Sequence, residues 1–380
     1  MTKSALFEKV YGSIAAANIG SAMGAAVEWV SVPGGGWQAI EDTFGWVDGF
    51  LPWVQQERDV RYWNNSPRLR YQHMDMPPGM TEDGAEVRYL LTLAMLEKRG
   101  RVTVEDVAEV FARDIVRDDI GRLVNPHIKI HLDRLRAGDE QTRIPPRLLG
   151  ALTPWPGLVD AAHMIGPVGI INAGDAYQAA LDAGDVALLL QPAASGGVEA
   201  CKLVAAATAE AFSPTASVDS IIGAALDNVS VTTREIVEET LEIARKHPDI
   251  RDIREPIRQH FAPTYPYADA VETAAEALAL LWISQGDVRE AIVGATNLGR
   301  DTDCIAGCLG QIVGAYGGIG NVPSDWTETV QAALDANDYT LQSTPMAELA
   351  EQVTAVLEEH IDALAGRVDA LQQLRNTVGS

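Results

Sequence analysis

Apolar residues recur at helical spacing through almost the whole chain of 380 residues, and this pattern limits the possible folds most strongly. Val87, Leu90, Leu91 and Ala94, for example, fall on one face of a helix. The same spacing recurs in residues 107–115, 176–183, 222–229, 271–281 and 353–361. Because alternating runs with a period of two are rare and short, the sequence predicts an all-α fold.

Turn-rich segments separate the expected helices, but none is long or biased enough to act as a flexible linker between domains. The chain also lacks a repeat of fixed period. We therefore expect a single domain over residues 1–365, followed by a C-terminal tail over residues 366–380 that frays.

The charge and cysteine content exclude several classes of protein. The net charge of −24 repels nucleic acid and anionic lipid, so neither is an expected partner. No apolar run reaches the roughly 18 residues of a membrane span, and the N-terminus lacks the pattern of a secretory signal. Three cysteines are too few for a disulfide framework, which favours a cytoplasmic location.

A stripe of small residues ends in the first candidate carboxylate. Gly12, Ala16, Gly20, Gly24 and Glu28 are spaced by four and share one face of a helix. Glycine inside a helix costs up to about 1 kcal/mol, so its repetition indicates the close approach of another backbone or of a ligand. Glu28 would lie beside that contact. Alternatively, the glycines serve packing alone and Glu28 is a solvated helix end.

The second acidic segment directly precedes an amphipathic helix. Thr81, Glu82 and Asp83 place a hydroxyl and two carboxylates at a junction between a loop and a helix. The alternative interpretation is a capping box formed by Asp83 and Glu86.

The third segment repeats this donor set at Asp301, Thr302 and Asp303. Here the alternative is that Asp301 caps the helix and Asp303 complements its dipole. Glycines at 307, 310, 314 and 317 follow, and they would let this helix press against the Gly20 and Gly24 stripe. Five carboxylates would then converge, and they cannot all stay ionised without cations. Oxygen donors suit Mg²⁺ or Mn²⁺ better than zinc, so two such ions are expected.

These segments resemble the three signatures of the ADP-ribosylglycohydrolases. The matching letters are GSAMGAAVE at 20–28, TEDG at 81–84 and GRDTDCIA at 299–306, with an apolar Pro-x-Gly loop at 164–169. The resemblance spans roughly residues 8–320, in the same order and separation. It implies a compact orthogonal helical bundle with a binuclear magnesium centre. The implied activity is that of a glycoside hydrolase that cleaves a ribosyl-type N- or O-glycosidic bond.

The resemblance also implies roles for individual residues. The implied metal ligands are Thr81, Glu82, Asp83, Asp301, Asp303 and Cys304. Glu28 and Asp83 are the expected catalytic carboxylates, with Glu28 as the acid or base beside a metal-bound water. The expected partner is a small-molecule glycoside or an ADP-ribosylated substrate, and the oligomeric state is left open.

This chain departs from the family pattern at several positions. Ser21 replaces an aspartate, Gly84 replaces a threonine and Cys304 replaces a threonine or serine, while Glu82 lengthens one ligand. Gln191-Pro192 stands where a Thr-His pair is expected. Because a thiol is a poor magnesium ligand, occupancy of one metal site is left open. The alternative functions are an N-glycosidase for a free nucleoside-like molecule and a non-catalytic binding or structural protein on the same scaffold.

Three weaker signals remain. His127 and His131 share a helical face, for which a polar surface is favoured over a zinc site. Cys304 and Cys308 are four apart and also fit small packing residues. Tryptophans crowd the first sixth of the chain, at Trp29, Trp37, Trp46, Trp53 and Trp63. They are predicted to form a pocket wall for a flat aglycone, with buried loop anchors as the alternative.

Overall fold

Helices are the regular elements of the computed structural model, which describes residues 4–31, 36–52, 77–80, 82–115, 128–137, 143–337 and 340–377. Within these ranges there is no strand, and a single antiparallel bridge joins Leu158 to Asp269. The α-helices are α1 (Ala5–Ser31), α2 (Gly36–Phe44), α3 (Asp83–Lys98), α4 (Val104–Asp114), α5 (Ile128–Arg136), α6 (Pro146–Leu149), α7 (Asp160–Met164), α8 (Gly166–Ile171), α9 (Ala176–Val186), α10 (Gly196–Ala211), α11 (Val218–Leu226), α12 (Val231–Lys246), α13 (Arg254–Phe261), α14 (Ala270–Ser284), α15 (Val288–Thr296), α16 (Thr302–Gly317), α17 (Ser324–Asp335) and α18 (Met346–Thr377). The predicted all-α fold is confirmed.

Helices α1 and α16 form the most extensive contact between any two described helices. A Cβ added at Gly20 would lie within 3.0 Å of the Ala306 backbone, and one added at Gly24 would meet the backbone of Thr302 and Asp303. Real Cβ atoms do not approach that closely. The two glycine faces therefore pack backbone against backbone, and the pairing predicted from their spacing is confirmed.

Helix α1 corrects the expectation that no apolar run is long enough to span a membrane. Its segment Ala5–Glu28 passes on length and composition, with a mean hydropathy of 1.2. However, 83% of its most apolar window is buried inside the fold. Because α1 runs through the core, it needs apolar residues on nearly every face, as a membrane helix would.

Helix α18 continues without a break through the predicted boundary at residue 365 and ends at Thr377. Its residues 361–376 are exposed, and they are helical instead of frayed. The division into a domain and a tail stays a prediction.

Candidate metal centre

Asp303 lies in the first turn of α16 and is the common member of three clusters of possible ligands. In each cluster the donor atoms lie within 4.8 Å of one another, and the members are Glu28, Asp301 and Asp303; Glu82, Asp83 and Asp303; and His163, Asp303 and Cys304. Asp303 is 4% exposed, and its Oδ1 has no hydrogen-bond partner among the described residues. The predicted convergence of the three acidic segments is confirmed.

The first residues of α16 do not use their side chains to cap the helix. Asp301 occupies the N-cap position but makes no side-chain cap hydrogen bond. The Thr302 hydroxyl, expected among the oxygen donors, instead donates to the Gly24 carbonyl at 2.9 Å. Thr302 thus ties α16 to α1, whereas the Asp301 carboxylate belongs to the cluster with Glu28 and Asp303.

The start of α3 is capped by Glu82, so the capping box considered for Asp83 and Glu86 is wrong. Glu82 accepts from the backbone N–H of Gly84 at 2.5 Å and of Ala85 at 2.7 Å. Glu86 instead accepts from the Thr340 hydroxyl at 2.6 Å. Each carboxylate oxygen has a second lone pair, so capping leaves Glu82 able to face Asp303. Thr81 lies outside the described residues.

Glu28 is a buried carboxyl, not a solvated helix end. It is 9% exposed, and the Tyr267 hydroxyl donates to its Oε1. Burial raises the pKa of Glu28 well above its ordinary value, the nearby Asp301 raises it further, and the bond from Tyr267 opposes both effects. Sequence reasoning missed Tyr267, because it lies 239 residues from Glu28 in a loop without a recognisable motif.

Arg300 holds the loop of Tyr267 against the loop of Asp301. Its guanidinium donates to the Pro266 carbonyl at 2.9 Å and to the Glu272 carboxylate at 2.6 Å. Arg300 itself has a positive φ of 59°, an arrangement that costs of order 1–3 kcal/mol and persists only where the surroundings enforce it. These contacts fix Tyr267, and through it Glu28, relative to Asp301.

The carboxylates of the centre cannot all be ionised in the metal-free protein. Burial raises the pKa of Asp303 well above its ordinary value, and Glu28 and Asp301 raise it further. A divalent cation would remove this conflict, because it supplies the positive charge that the ionised forms lack. Glu28, Asp301 and Asp303 offer only oxygens and therefore fit Mg²⁺ or Mn²⁺.

His163, which sequence reasoning did not single out, completes the other side of the centre. This side chain is 1% exposed; its Nδ1 lies 3.1 Å from the Cys304 sulfur and its Nε2 lies 2.9 Å from the Ser21 hydroxyl. A Cβ added at Gly84 or at Gly307 would come within 3.0 Å of the ring. The imidazole is therefore inserted between the starts of α3 and α16.

Three of the departures from the family pattern meet at this imidazole. Ser21 contacts Nε2, Cys304 contacts Nδ1, and Gly84 supplies the space for the ring. These three departures therefore cluster around His163. The available signal in the sequence was a histidine beside the apolar Pro-x-Gly loop, within an otherwise apolar segment.

Arg88 places a buried positive charge behind Glu82. It donates to the Asn18 side-chain oxygen at 2.9 Å and to the Ser21 hydroxyl at 3.3 Å. Burial alone would raise the pKa of Glu82, but His163 and Arg88 together hold it below its ordinary value. Glu82 is therefore ionised and accepts hydrogen bonds only.

The weaker sequence signals have separate outcomes. The guanidinium of Arg254 covers one face of Trp37 at 4.2 Å, and that of Arg251 covers one face of Trp46 at 3.8 Å, so those faces do not line an open pocket. The Trp29 side chain, Trp53, Trp63 and His127 lie outside the described residues. His131 is buried on α5, and burial lowers its pKa to about 4.

Comparison with known proteins matches the chain to one family. The family model for ADP-ribosylglycohydrolase covers residues 2–363. The uncharacterized protein YegU of Escherichia coli (strain K12) is 24% identical over 368 residues, which is 92% of this chain and 99% of that protein. A solved structure described as an ADP-ribosylglycohydrolase-related protein complex superimposes with a TM-score of 0.59 at 18% identity, over 93% of this chain and 99% of that one. This structural likeness shows the shared fold.

Proposed function

The chain belongs to the ADP-ribosylglycohydrolase family, and from this premise we propose that it is a metal-dependent hydrolase of a ribosyl-type N- or O-glycosidic bond. The observation that supports the proposal is the buried oxygen cluster of Glu28, Asp301 and Asp303. The Oδ1 atom of Asp303, a member of this cluster, has no hydrogen-bond partner among the described residues. A purely structural carboxylate would have been paired, since an unpaired buried acceptor costs about 1–3 kcal/mol.

In the proposed reaction the bond between C1 of the ribose and the leaving group breaks, and water adds at C1. Glu28 accepts one proton of that water and a proton passes to the leaving group, so that the released group is neutral; Tyr267 orients the Glu28 carboxyl for the transfer. The surrounding carboxylates stabilise the positive charge that develops on the sugar. Asp83, Asp301 and Asp303 would hold Mg²⁺, or Mn²⁺ as the alternative, and the bound ion would orient ribose hydroxyls and acidify water.

The substrate class is an ADP-ribosyl conjugate or a related nucleoside or sugar conjugate. The replacement of the family's Thr-His pair by Gln191-Pro192 favours a free nucleoside-like molecule as the second candidate, because this position then differs from that of the enzymes that act on ADP-ribosyl conjugates. Gln191, which stands in place of the expected Thr-His pair, is fully buried. Its amide spans the Gly157 N–H at 2.8 Å and the Asp160 carboxylate at 3.0 Å, so it is committed to internal contacts.

The test compares hydrolysis of ADP-ribosyl-arginine, an ADP-ribosyl-serine peptide and a panel of free nucleosides by the metal-stripped protein before and after Mg²⁺ addition. Asp301→Asn should abolish any Mg²⁺-dependent release of the leaving group. The matched control is Asp325→Asn, because Asp325 is an exposed aspartate in the first turn of α17.

The possible results separate the three functions. Release from the conjugates or from the nucleosides identifies the substrate class. Metal binding without hydrolysis of any substrate supports a binding protein on this scaffold. If Mg²⁺ neither binds nor raises the melting temperature, the proposed magnesium centre is wrong.

We further propose a small-molecule partner and a cytoplasmic location, which the net charge of −24 and three free cysteines support.

A further inference from the structure

We propose that His163, Cys304 and Asp303 form a second metal site of a different chemical kind, which takes a zinc-like divalent transition-metal ion in preference to Mg²⁺. The site shares Asp303 with the oxygen cluster, and its place in a working centre rests on the proposed function.

The three donor atoms are already assembled for one ion. They lie within 4.8 Å of one another, and all three side chains are buried. Zinc takes imidazole nitrogen at about 2.0–2.1 Å and thiolate sulfur at about 2.3 Å, so a small adjustment of the 3.1 Å separation between Nδ1 and Sγ admits the ion. The buried Oδ1 of Asp303, which both clusters share, has no hydrogen-bond partner among the described residues, as expected of a carboxylate that lacks a ligand.

The surroundings of His163 direct the correct nitrogen at the site. The Nε2 atom lies 2.9 Å from Ser21 Oγ and 3.5 Å from Glu82 Oε1. The Glu82 carboxylate offers acceptor oxygens, while Arg88 donates to Ser21 and leaves that oxygen a second lone pair. Nε2 therefore carries the proton, and the lone pair of Nδ1 faces Cys304. Metal-bound histidines have this arrangement, with the second nitrogen donating to an outer acceptor.

The donor set selects against magnesium. Imidazole and thiolate ligands favour zinc and similar ions, whereas Mg²⁺ requires oxygen ligands in near-octahedral geometry. On binding, the Cys304 thiol releases its proton to solvent and the thiolate coordinates the ion. Cys308, one turn further along α16, is the contrasting case: its thiol donates to the Ala162 carbonyl at 3.7 Å, and it belongs to none of the three clusters found among the described residues.

The test is a titration of the metal-stripped, full-length protein with Co²⁺, whose absorption reports its ligands. We expect thiolate-to-cobalt charge-transfer absorption in the near ultraviolet, displaced by Zn²⁺ and unaffected by an excess of Mg²⁺. Cys304→Ser should remove this absorption, and His163→Gln should weaken Co²⁺ binding by at least about tenfold. The matched control, Cys308→Ser, should keep both the spectrum and the affinity.

A second measurement needs no variant. Zinc-edge X-ray absorption of the wild-type protein loaded with one equivalent of Zn²⁺ should show a single sulfur ligand at about 2.3 Å. Absence of sulfur from the zinc shell overturns the inference, as does a charge-transfer band that survives Cys304→Ser or is lost equally in Cys308→Ser.

Neither measurement uses a substrate, so the two proposals can fail separately. Mg²⁺-dependent hydrolysis without a sulfur ligand removes only the transition-metal site. An intact sulfur ligand without hydrolysis of any tested conjugate removes only the proposed function.

Discussion

The two sides of Asp303 bring different chemistry to a shared carboxylate. On the oxygen side, Glu28 and Asp301 crowd like charges together, and burial raises the pKa of Glu28 and of Asp303. On the imidazole–thiol side, His163 and Cys304 contribute a nitrogen and a sulfur donor, and burial lowers the pKa of His163 and raises that of Cys304. The oxygen side requires a cation for charge balance, whereas the other side selects a cation by ligand type.

The two sides are also held in different ways. Loops position the oxygen side, through Arg300 and its contacts to the segment around Tyr267. Helix ends position the imidazole–thiol side, because the backbone at Gly84 and Gly307 presses directly on the His163 ring. A substitution in one of these loops can therefore alter the oxygen side alone, whereas a substitution at either glycine alters the imidazole–thiol side by displacing the His163 ring.

Asp303→Ala should have the largest effect, because it removes the carboxylate that both sides share. We expect hydrolysis to fall to background and both Mg²⁺ and Co²⁺ binding to weaken strongly, with the helical circular dichroism signal retained. Asp325→Ala in α17 is the control. If the variant keeps one metal at wild-type affinity, the two sides do not share Asp303.

Glu28→Gln should impair the catalytic function of the oxygen side and leave metal binding by the imidazole–thiol side unchanged. Loss of general acid–base assistance lowers kcat by about 10²–10⁴. The amide preserves shape, so substrate binding should suffer less than turnover, and the Co²⁺ spectrum of the other side should not change. Steady-state kinetics and the cobalt titration check the two halves of this prediction. A near-normal kcat removes Glu28 from the mechanism.

Gly84→Ala tests whether the contact between Gly84 and the His163 ring positions the imidazole–thiol side. The added methyl group meets His163, and overpacking of this kind costs about 1–3 kcal/mol. His163→Ala in the same protein should recover most of that loss, since it removes the ring. Thermal unfolding of the wild type, both single variants and the double variant measures the coupling. If the losses of stability in the two single variants simply add in the double variant, Gly84 is not required to accommodate the His163 ring.

Cys304→Thr should shift the metal preference of the imidazole–thiol side from transition-metal ions towards Mg²⁺. A hydroxyl suits Mg²⁺ better than a thiol, so Mg²⁺ affinity should rise and Co²⁺ affinity should fall, each by about tenfold or 1.4 kcal/mol. Isothermal titration with each ion measures the shift. Unchanged affinities for both ions would place Cys304 among the packing residues, as Cys308 is.

Asp160→Asn should have the smallest effect on metal binding and turnover, and it removes a pH response of stability that is independent of the centre. Burial raises the pKa of Asp160 from 3.8 to about 7. The folded state therefore keeps a proton that the unfolded state loses, and the free energy of unfolding falls as the pH rises through this interval. The variant should lack that decrease, so its melting temperature relative to that of the wild type should rise from about pH 3.8 to about pH 7 and level off at higher pH. A gap that does not vary with pH would contradict the assignment.

The sequence alone determined the helical architecture and the meeting of the acidic segments. Helical periodicity is a local property, and the glycine spacings of α1 and α16 specify faces that only another backbone can fill. Once Gly20 and Gly24 lie against Ala306 and Thr302, Glu28 and Asp303 must be neighbours.

Only the tertiary structure decided which side chains complete the centre. Tyr267 is 239 residues from Glu28, and His163 is 141 residues from Cys304, so no local pattern links either pair. Backbone geometry likewise decided that Glu82 caps its helix and that Asp301 does not. Such contacts depend on where several helices bring their ends together, and the periodicity of each helix is compatible with many such arrangements.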